Sequence, residues 1–314
     1  MIKYFTSKTD KSGYVYSVDN CVFEYSLKNP NQKDSFLEYL KNLAIIHNLE
    51  NEYWERRNLK PCSHWAWCSD VVHLCNGIYL SIGKWNYADK NNPVYVPRVV
   101  LEINLNKHGD KSIYSDLNQY LIDYCISCNL KKFDFAIDIP AKLKDVEVFC
   151  SRKEKGLYKG TKYFGQRNKH GYCKVYDKSK ERGIEEEVDI TRVEHTLFYG
   201  KKYSLETVHI KTNEFKDQKI STTENYILQT YYALGEAGLD SDQFLNLLTM
   251  KKKRQIKELI NGSGYKKLEY DLDLLKDMLE EIKSLTGFKE KVDPVWEDPE
   301  GWLHINDNYI LPFE

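Results

Sequence analysis

The stretch of residues 133–139, FDFAIDI, has the alternation that decides how the middle of the chain folds. Successive side chains of a β-strand point to opposite faces, so the four apolar residues form one face and Asp134, Ala136 and Asp138 the other. Two carboxylates on a buried strand are costly unless a cation compensates them, and the small Ala136 leaves room for one. An edge strand with one solvated face would carry the same pattern. The stretch alone leaves both interpretations open.

Two other strand-like stretches carry acids in the same way. In residues 190–198, ITRVEHTLF, Arg192 and Glu194 share a face, and in residues 97–105 Glu102 faces away from its apolar neighbours. With Asp134 and Asp138 this makes four acids on three strands. Oxygen ligands of this kind suit a hard divalent cation, Mg²⁺ or Mn²⁺, if the strands are neighbours. The candidate metal ligands are therefore Asp138, Glu194, Asp134 and Glu102.

Working outward from these stretches, strand-like and helix-like segments alternate without a repeat. Strands are predicted at 14–27 and 65–85 as hairpins, with turns at Asp19–Asn20 and at Asn76–Gly77, and also at 97–105, 132–139, 162–167, 172–178 and 190–198. Helices are predicted at 34–49, 113–128, 224–234, 241–260 and 268–285. The fold class is therefore α+β, a mainly antiparallel central sheet flanked by helices, with a helical C-terminal region.

Near residue 222 the pattern changes from mixed strands and helices to helices alone, and this change predicts the domains. They are an α+β domain at 1–221, a helical region at 222–290, and an irregular acidic tail at 291–314. No apolar run approaches the length of a membrane span, and the first residues lack the apolar core of a signal peptide. We expect a cytoplasmic protein that does not contact a membrane.

The charge of the 314 residues is unevenly distributed, although it sums to −1. Residues 152–182 hold eleven basic residues against three acids, and residues 251–267 hold seven against one. Solvated surface is one explanation of a single basic run. Two such runs, the first interleaved with tyrosines that can stack on bases, favour DNA. The candidate DNA contacts are Tyr163, Arg167, Lys169, Lys174, Lys251, Lys252, Lys253 and Arg254. The last four lie in the helical region at 222–290, which we therefore expect to recognise DNA.

One tyrosine of the first basic run has the surroundings of a nucleophile. In residues 172–178, YCKVYDK, Tyr176 stands two positions after Lys174 and two before Lys178. These cations could bind a phosphate and stabilise a phenolate, so Tyr176 could attack phosphorus. Tyr176 is one of 24 tyrosines in the chain, and most tyrosines only pack or hydrogen-bond. Spacing alone does not choose between the two roles.

The order of four motifs adds a family resemblance. FDFAIDI, TKYFGQR, GYCKVYDKSKER and TRVEHTL follow one another between residues 133 and 197. In this order they resemble the Rep_trans family of rolling-circle plasmid replication initiators, whose relatives include relaxases of mobile elements. The resemblance covers roughly residues 99–198, and only the four motifs together are specific. Two departures are Lys174 at a position where arginine is common, and the absence of a Gly-rich turn after the Glu102 strand.

The resemblance implies a fold, a reaction and partners. The sheet would have the topology of HUH nickases, although a His-hydrophobe-His motif is absent. Tyr176 would attack one DNA strand at an origin, giving a 5′-phosphotyrosine and a free 3′-hydroxyl that primes replication. Lys178 and Arg192 would neutralise the phosphoryl charge, and Mg²⁺ or Mn²⁺ would be held by Asp138 and Glu194, assisted by Asp134 or Glu102. Single-stranded or extruded origin DNA, a second copy of the chain and a host helicase are the implied partners.

Three alternative functions stay open from the sequence. A conjugative relaxase would use the same chemistry at a transfer origin. A non-catalytic DNA-binding protein would hold the same acids for structural reasons. The tyrosine content would also suit an RNA-binding protein. No phosphate-binding loop of the Walker type is present, so no fused ATPase is expected.

Overall fold

The structure is a computed structural model. The residues that it describes are 6–29, 32–49, 52–55, 68–75, 77–86, 94–149, 154–158, 160–167, 169–182, 189–203, 205–211, 221–261 and 265–288. The predicted acidic tail at 291–314 lies outside them.

Strands and helices alternate through the first two-thirds of the described chain. The strands are β1 (Ser7–Thr9), β2 (Val15–Leu27), β3 (Glu52–Glu55), β4 (Cys68–Cys75), β5 (Ile78–Asn86), β6 (Val94–Asn104), β7 (Cys125–Ile139), β8 (Val146–Phe149), β9 (Glu154–Tyr158), β10 (Thr161–Phe164), β11 (Tyr172–Asp177), β12 (Thr191–Phe198), β13 (Thr207–Lys211) and β14 (Tyr265–Lys267). The helices are α1 (Lys33–Ile46), α2 (Leu105–His108), α3 (Ser112–Tyr124), α4 (Lys178–Arg182), α5 (Thr222–Glu236), α6 (Ser241–Leu245), α7 (Met250–Asn261) and α8 (Leu272–Leu285).

The sheets are antiparallel wherever the pairing of two strands is defined. Among the described residues, eleven strands form one sheet in the order β3-β4-β5-β6-β2-β7-β12-β11-β10-β9, with β1 beside β2. A three-stranded sheet has the order β14-β13-β8. The α+β class with a large antiparallel sheet flanked by helices is confirmed. None of the described helices is long and apolar enough to cross a membrane.

The chain divides into two compact units. The first comprises Met1–Thr6, Asp19–Phe133 and Asp277–Glu314, and the second comprises Ser7–Val18 and Asp134–Lys276. The domain boundary that the sequence predicts at residue 222 falls inside the second unit. The two stretches that carry the acids and the candidate nucleophile, β7 from Asp134 onward and β11–β12, belong to the second unit.

In the first unit, α1 and α3 cover the sheet with apolar faces. Helix α1 buries Phe36, Leu40, Leu43 and Ala44, which recur at helical spacing. Each fully buried leucine contributes about 1.5–3 kcal/mol relative to its exposed state. Where the two helices meet, the rings of Tyr39 and Tyr120 stack with centroids 3.8 Å apart.

In the second unit, the alternation of FDFAIDI produces the predicted two faces. Phe135, Ile137 and Ile139 are buried on one face, and Phe135 stacks on Tyr16 with ring centroids 5.8 Å apart. Asp138 on the other face is also buried. Since β7 lies between β2 and β12 in the sheet, the edge-strand interpretation is wrong. The carboxylates must therefore be compensated by neighbouring side chains.

Two predicted boundaries are wrong for identifiable reasons. Asp19 and Asn20 do not form a hairpin turn, because β2 runs unbroken through them. Both side chains find partners in the sheet: Asn20 Nδ2 donates to Glu102 Oε1 at 2.7 Å, and Asn106 donates to Asp19. The helix predicted at 113–128 ends at Tyr124, and Cys125 begins β7.

The helix predicted at 241–260 is two helices, α6 and α7. Thr249, the residue before α7, caps the N-terminus of this helix, because its hydroxyl accepts a hydrogen bond from the Lys252 backbone at 3.4 Å. Leu228 of α5, Leu245 of α6, and Ile256 and Leu259 of α7 form a small core of their own. The sequence pattern does not predict six short strands of the described chain, which are β1, β3, β8, β9, β13 and β14.

The carboxylate of Glu224 closes the N-terminus of α5 and ties it to α7. It accepts hydrogen bonds from Lys252 Nζ at 2.8 Å and from the Ser221 backbone at 2.8 Å. The Ser221 hydroxyl in turn accepts from the Glu224 backbone, which completes a capping box. These bonds, led by the one from Lys252, lower the pKa of Glu224 below its ordinary 4.5.

Glu224→Gln is therefore expected to destabilise the protein in a pH-dependent way. The folded-state pKa is lower than the unfolded one, so the stabilisation is present above pH 4.5 and is lost as pH falls through the folded pKa. Glutamine can still close the capping box but loses the charge, so we expect a difference of about 0.3–1 kcal/mol in unfolding free energy from wild type at pH 7, measured by chemical denaturation. The difference should shrink as pH falls below 4.5. A difference that is the same at every pH would contradict this role.

Candidate functional site

Three neighbouring strands of the second unit, β7, β12 and β11, bring the predicted site residues to one face of the sheet. The register places Lys174 opposite Glu194 and Tyr176 opposite Arg192. From β7, Asp134 contacts Thr196 and Asp138 contacts Arg192, and both of these partners lie on β12. The candidate nucleophile, its cations and three of the four candidate ligands are thus together.

Asp138 and Arg192 form a buried ion pair. Both carboxylate oxygens are engaged, Oδ2 by Arg192 Nη2 at 2.8 Å and Oδ1 by Arg192 Nε. The side chains are 7% and 1% exposed. A bidentate pair of this kind is strong and fixed in geometry. Arg192 therefore neutralises Asp138 from inside the sheet face, and its guanidinium is not presented to solvent.

Asp134 is held by a hydroxyl group of the neighbouring strand. Thr196 Oγ1 donates to Asp134 Oδ1 at 2.7 Å. Thr196 lies on the same face of β12 as Arg192 and Glu194, because the three positions are two apart. This hydrogen bond orients the Asp134 carboxylate without neutralising it.

Glu194 forms an ion pair with Lys174, the residue directly opposite on β11. The Glu194 side chain is 8% exposed and that of Lys174 is 30% exposed. Burial disfavours the charged ammonium, but the carboxylates of Glu194 and then Asp134 outweigh burial and raise the pKa of Lys174. Lys174 is thus a fixed positive charge that faces two carboxylates.

The Tyr176 hydroxyl reaches the same carboxylate from the other side. It donates a hydrogen bond to Glu194 Oε2 at 3.3 Å, while Lys174 holds Oε1. The tyrosine is half-buried. The Lys178 ammonium lies 5.6 Å from the centre of the Tyr176 ring. The phenol thus has a proton acceptor in place and one ammonium group near its ring, which are the groups that a nucleophilic tyrosine needs at the moment of attack.

Lys178 is less accessible than a surface cation. Its side chain is 8% exposed and its ammonium pairs with Glu181, one turn along α4. The backbone of Lys178 is also fixed, since its N–H donates to the Ile190 carbonyl at 2.8 Å. Lys178 is placed to act on Tyr176 through the ring rather than as an isolated phosphate contact.

The four candidate metal ligands do not form an open set of oxygens in this structure. Asp138 is bound by Arg192 and Glu194 by Lys174, and Glu102 lies in the first unit, where it accepts a hydrogen bond from Asn20. Within the described residues there is no group of three or more His, Cys, Asp or Glu side chains that could hold a metal ion. A divalent cation does not fit this arrangement of ion pairs. The Mg²⁺ or Mn²⁺ that the sequence predicts is not tested by this structure, and the contacts of these residues do not favour it.

An aromatic and basic surface continues from the site toward β10. The rings of Tyr163 and Tyr172 are nearly parallel, at 15°, with centroids 6.3 Å apart. Burial raises the pKa of Tyr172, while Lys174 and Arg167 act in the opposite direction. Arg167 and Lys169 are exposed in the turn before β11. Tyr172 is buried, so the half-buried Tyr163 and the exposed Arg167 and Lys169 are the aromatic and cationic groups here that could contact single-stranded nucleic acid.

The second basic run lies at the start of α7, and its four residues have different surroundings. Lys251 is exposed, whereas Lys252 is tied to Glu224 and Lys253 hydrogen-bonds Asn246. Arg254 is exposed beside Glu258, with Arg254 Nε 3.0 Å from the carboxylate. The exposed pair of cations, Lys251 and Arg254, is therefore better placed for a phosphate backbone than the other two.

Two roles were missed from the sequence. Thr196 was placed on the acidic face but given no function, although it positions Asp134. Lys174 was predicted as a DNA contact, whereas the structure places it against Glu194. The alternation of β11 and β12 puts both residues on the correct face, but only the strand register reveals their partners.

Comparisons with known proteins do not identify a family for this chain. Neither a family model nor a curated protein matches the sequence. Among solved structures, the chain has a low similarity to one titled a rolling circle replication initiator protein from Geobacillus stearothermophilus. The identity is 16% and the TM-score 0.32, over 59% of this chain and 75% of that chain. A TM-score of this size does not establish a common fold, so the following proposals rest on the residues themselves.

Proposed function

We propose that the chain nicks one strand of DNA by transesterification and acts in the initiation of rolling-circle replication. The observation that carries this proposal is the hydrogen bond from the Tyr176 hydroxyl to Glu194, on a sheet face that also holds Lys174. Tyr176 is half-buried and Glu194 is buried, so the pair is shielded from bulk water on one side. The order of the four sequence motifs supports the same function.

The reaction needs a deprotonated phenol at the moment of attack. Glu194 Oε2 accepts the Tyr176 proton as the phenolic oxygen forms its bond to phosphorus. The bond between phosphorus and the 3′ oxygen breaks, and this oxygen takes up one proton from water and leaves as a 3′-hydroxyl, while Glu194 returns its proton to water. The product is a 5′-phosphotyrosine, which conserves the energy of the phosphodiester bond for rejoining.

The cations of the site contribute through their fixed positions. Lys174 keeps Glu194 in place and Lys178 stabilises negative charge on the Tyr176 ring. Arg192 keeps Asp138 neutralised, so that the face carries less negative charge toward an approaching phosphate. The attacked strand must reach the face, so a single-stranded or extruded substrate is expected. Tyr163 and Arg167 are proposed to hold its bases and phosphates.

A covalent-adduct assay tests this function. The protein is incubated with a single-stranded oligonucleotide that is labelled at its 3′ end and carries a randomised central octamer, with Mn²⁺, with Mg²⁺ or with chelator, and is run on a denaturing gel. We expect an adduct with wild type, and loss of at least about 10³-fold in Tyr176→Phe because no nucleophile replaces the hydroxyl.

Tyr172→Phe is the matched control, since it removes a hydroxyl four positions earlier on the same strand and face. It should retain the adduct. An adduct that persists in Tyr176→Phe would contradict the assignment of the nucleophile, and no adduct with wild type under any of the three conditions would contradict nicking.

A DNA-binding protein without cleavage is the second candidate. The observation that favours it is that Asp138 and Glu194 are each neutralised by an ion pair, which gives both a structural role. In this case Tyr176→Phe would leave oligonucleotide binding unchanged and wild type would give no adduct. The same assay therefore separates the two candidates.

A further inference from the structure

The acidic face of β7 and β12 already contains a cation from the chain. Lys174 enters it from β11, directly opposite Glu194, and its ammonium binds Glu194 Oε1. Asp134, on the neighbouring strand β7, is held by Thr196, which lies two positions from Glu194 on the same face of β12. The sequence analysis expected a divalent cation to compensate these same acids.

We propose that the Lys174 ammonium takes the place of a divalent cation between Glu194 and Asp134, so that the intact protein excludes Mg²⁺ and Mn²⁺ from this face. The proposal concerns the cation selectivity of the face and goes beyond the nicking activity. It holds whether or not Tyr176 reacts with DNA.

The register makes Lys174 difficult to displace. Directly opposed residues of antiparallel strands have closely spaced side chains, so the ammonium reaches Glu194 without a large loss of side-chain freedom. The Glu194 side chain is only 8% exposed. A cation that removed Lys174 from it would leave an unpaired ammonium in a half-buried position, which is costly.

The remaining charges also act against a divalent cation. Arg192 occupies both oxygens of Asp138, and Thr196 occupies Asp134 Oδ1. A divalent cation beside Glu194 would therefore meet two positive side chains and few unengaged oxygens. Mg²⁺ and Mn²⁺ bind most strongly to several oxygen ligands at once.

Lys174→Met tests the proposal, because methionine fills similar space without the charge. Mn²⁺ binding is measured by the loss of the free-ion EPR signal, and stability by thermal unfolding with and without Mn²⁺. Wild type should bind no Mn²⁺ at this face, so Glu194→Gln should not change its Mn²⁺ titration. Lys174→Met should unfold about 5 °C lower and be restored by Mn²⁺. Its Mn²⁺ titration should show a site that the wild-type titration lacks, at least tenfold tighter than any residual Mn²⁺ binding by wild type.

Lys174→Arg is the matched control, since it keeps the charge and should behave as wild type in both measurements. Mn²⁺ binding by wild type that Glu194→Gln abolishes would overturn the proposal, and this comparison does not require Lys174→Met to fold. Lys174→Met that folds without gaining Mn²⁺ affinity would also overturn it. Failure of the adduct assay would contradict the proposed nicking and leave this result unaffected.

Discussion

Replacing Arg192 by methionine is expected to lower the unfolding free energy of the protein by about 3–5 kcal/mol. The cause is that Asp138, 7% exposed, would keep its charge without a partner inside the sheet. The guanidinium holds both carboxylate oxygens, so no single water could replace it. Urea denaturation followed by circular dichroism measures the effect.

The control for this prediction is Arg254→Met, which removes the same side chain from an exposed pair with Glu258. It should change the unfolding free energy by about 0.5 kcal/mol or less. Arg192→Met combined with Asp138→Leu should recover most of the loss, since both charges are then absent. Equal effects of Arg192→Met and Arg254→Met would mean that the buried pair does not stabilise this sheet.

Replacing Glu194 by glutamine is expected to slow adduct formation by about 10²–10⁴-fold. Glutamine keeps the size of the side chain and can accept a hydrogen bond from Tyr176, but it cannot take the proton. Single-turnover rates with saturating oligonucleotide measure this effect apart from binding. Glu181→Gln is the matched control, because Glu181 pairs with Lys178 but is 53% exposed and does not touch Tyr176.

A chemical rescue separates proton acceptance from a structural role of Glu194. Fluorinated tyrosine ionises more readily than tyrosine, so its incorporation at Tyr176 should restore part of the rate of Glu194→Gln. It should change the wild-type rate much less. If the fluorinated side chain does not raise the rate of Glu194→Gln, Glu194 acts by holding Lys174 rather than by accepting the proton.

Local patterns in the sequence predicted a large part of this site. The alternation in FDFAIDI placed Asp134 and Asp138 on one face, and the same rule placed Arg192, Glu194 and Thr196 together. Alternation is a property of one strand, and it needs no knowledge of neighbouring strands. For the same reason it could not reveal that Arg192 binds an acid 54 positions away.

The predicted turn in β2 and the grouping of the four acids as metal ligands differ from the observed contacts for the same physical reason. The residues Asp19 and Asn20 are typical of a turn, but partners in the sheet stabilise them within β2. The four acids were grouped as metal ligands because their charge needed compensation, and the structure provides it for Asp138 and Glu194 from Arg192 and Lys174. Both cases depend on contacts between residues far apart in the chain, which a sequence pattern does not encode.

The central claim is that the Tyr176 oxygen becomes covalently joined to DNA. The most direct test is to isolate the adduct, digest the protein and the DNA, and identify by mass spectrometry the residue that carries the remaining nucleotide. We predict a single modified peptide that contains Tyr176 linked to a 5′-phosphate. A nucleotide on any other residue would contradict the account, as would the absence of a linked nucleotide on wild-type protein that binds the oligonucleotide.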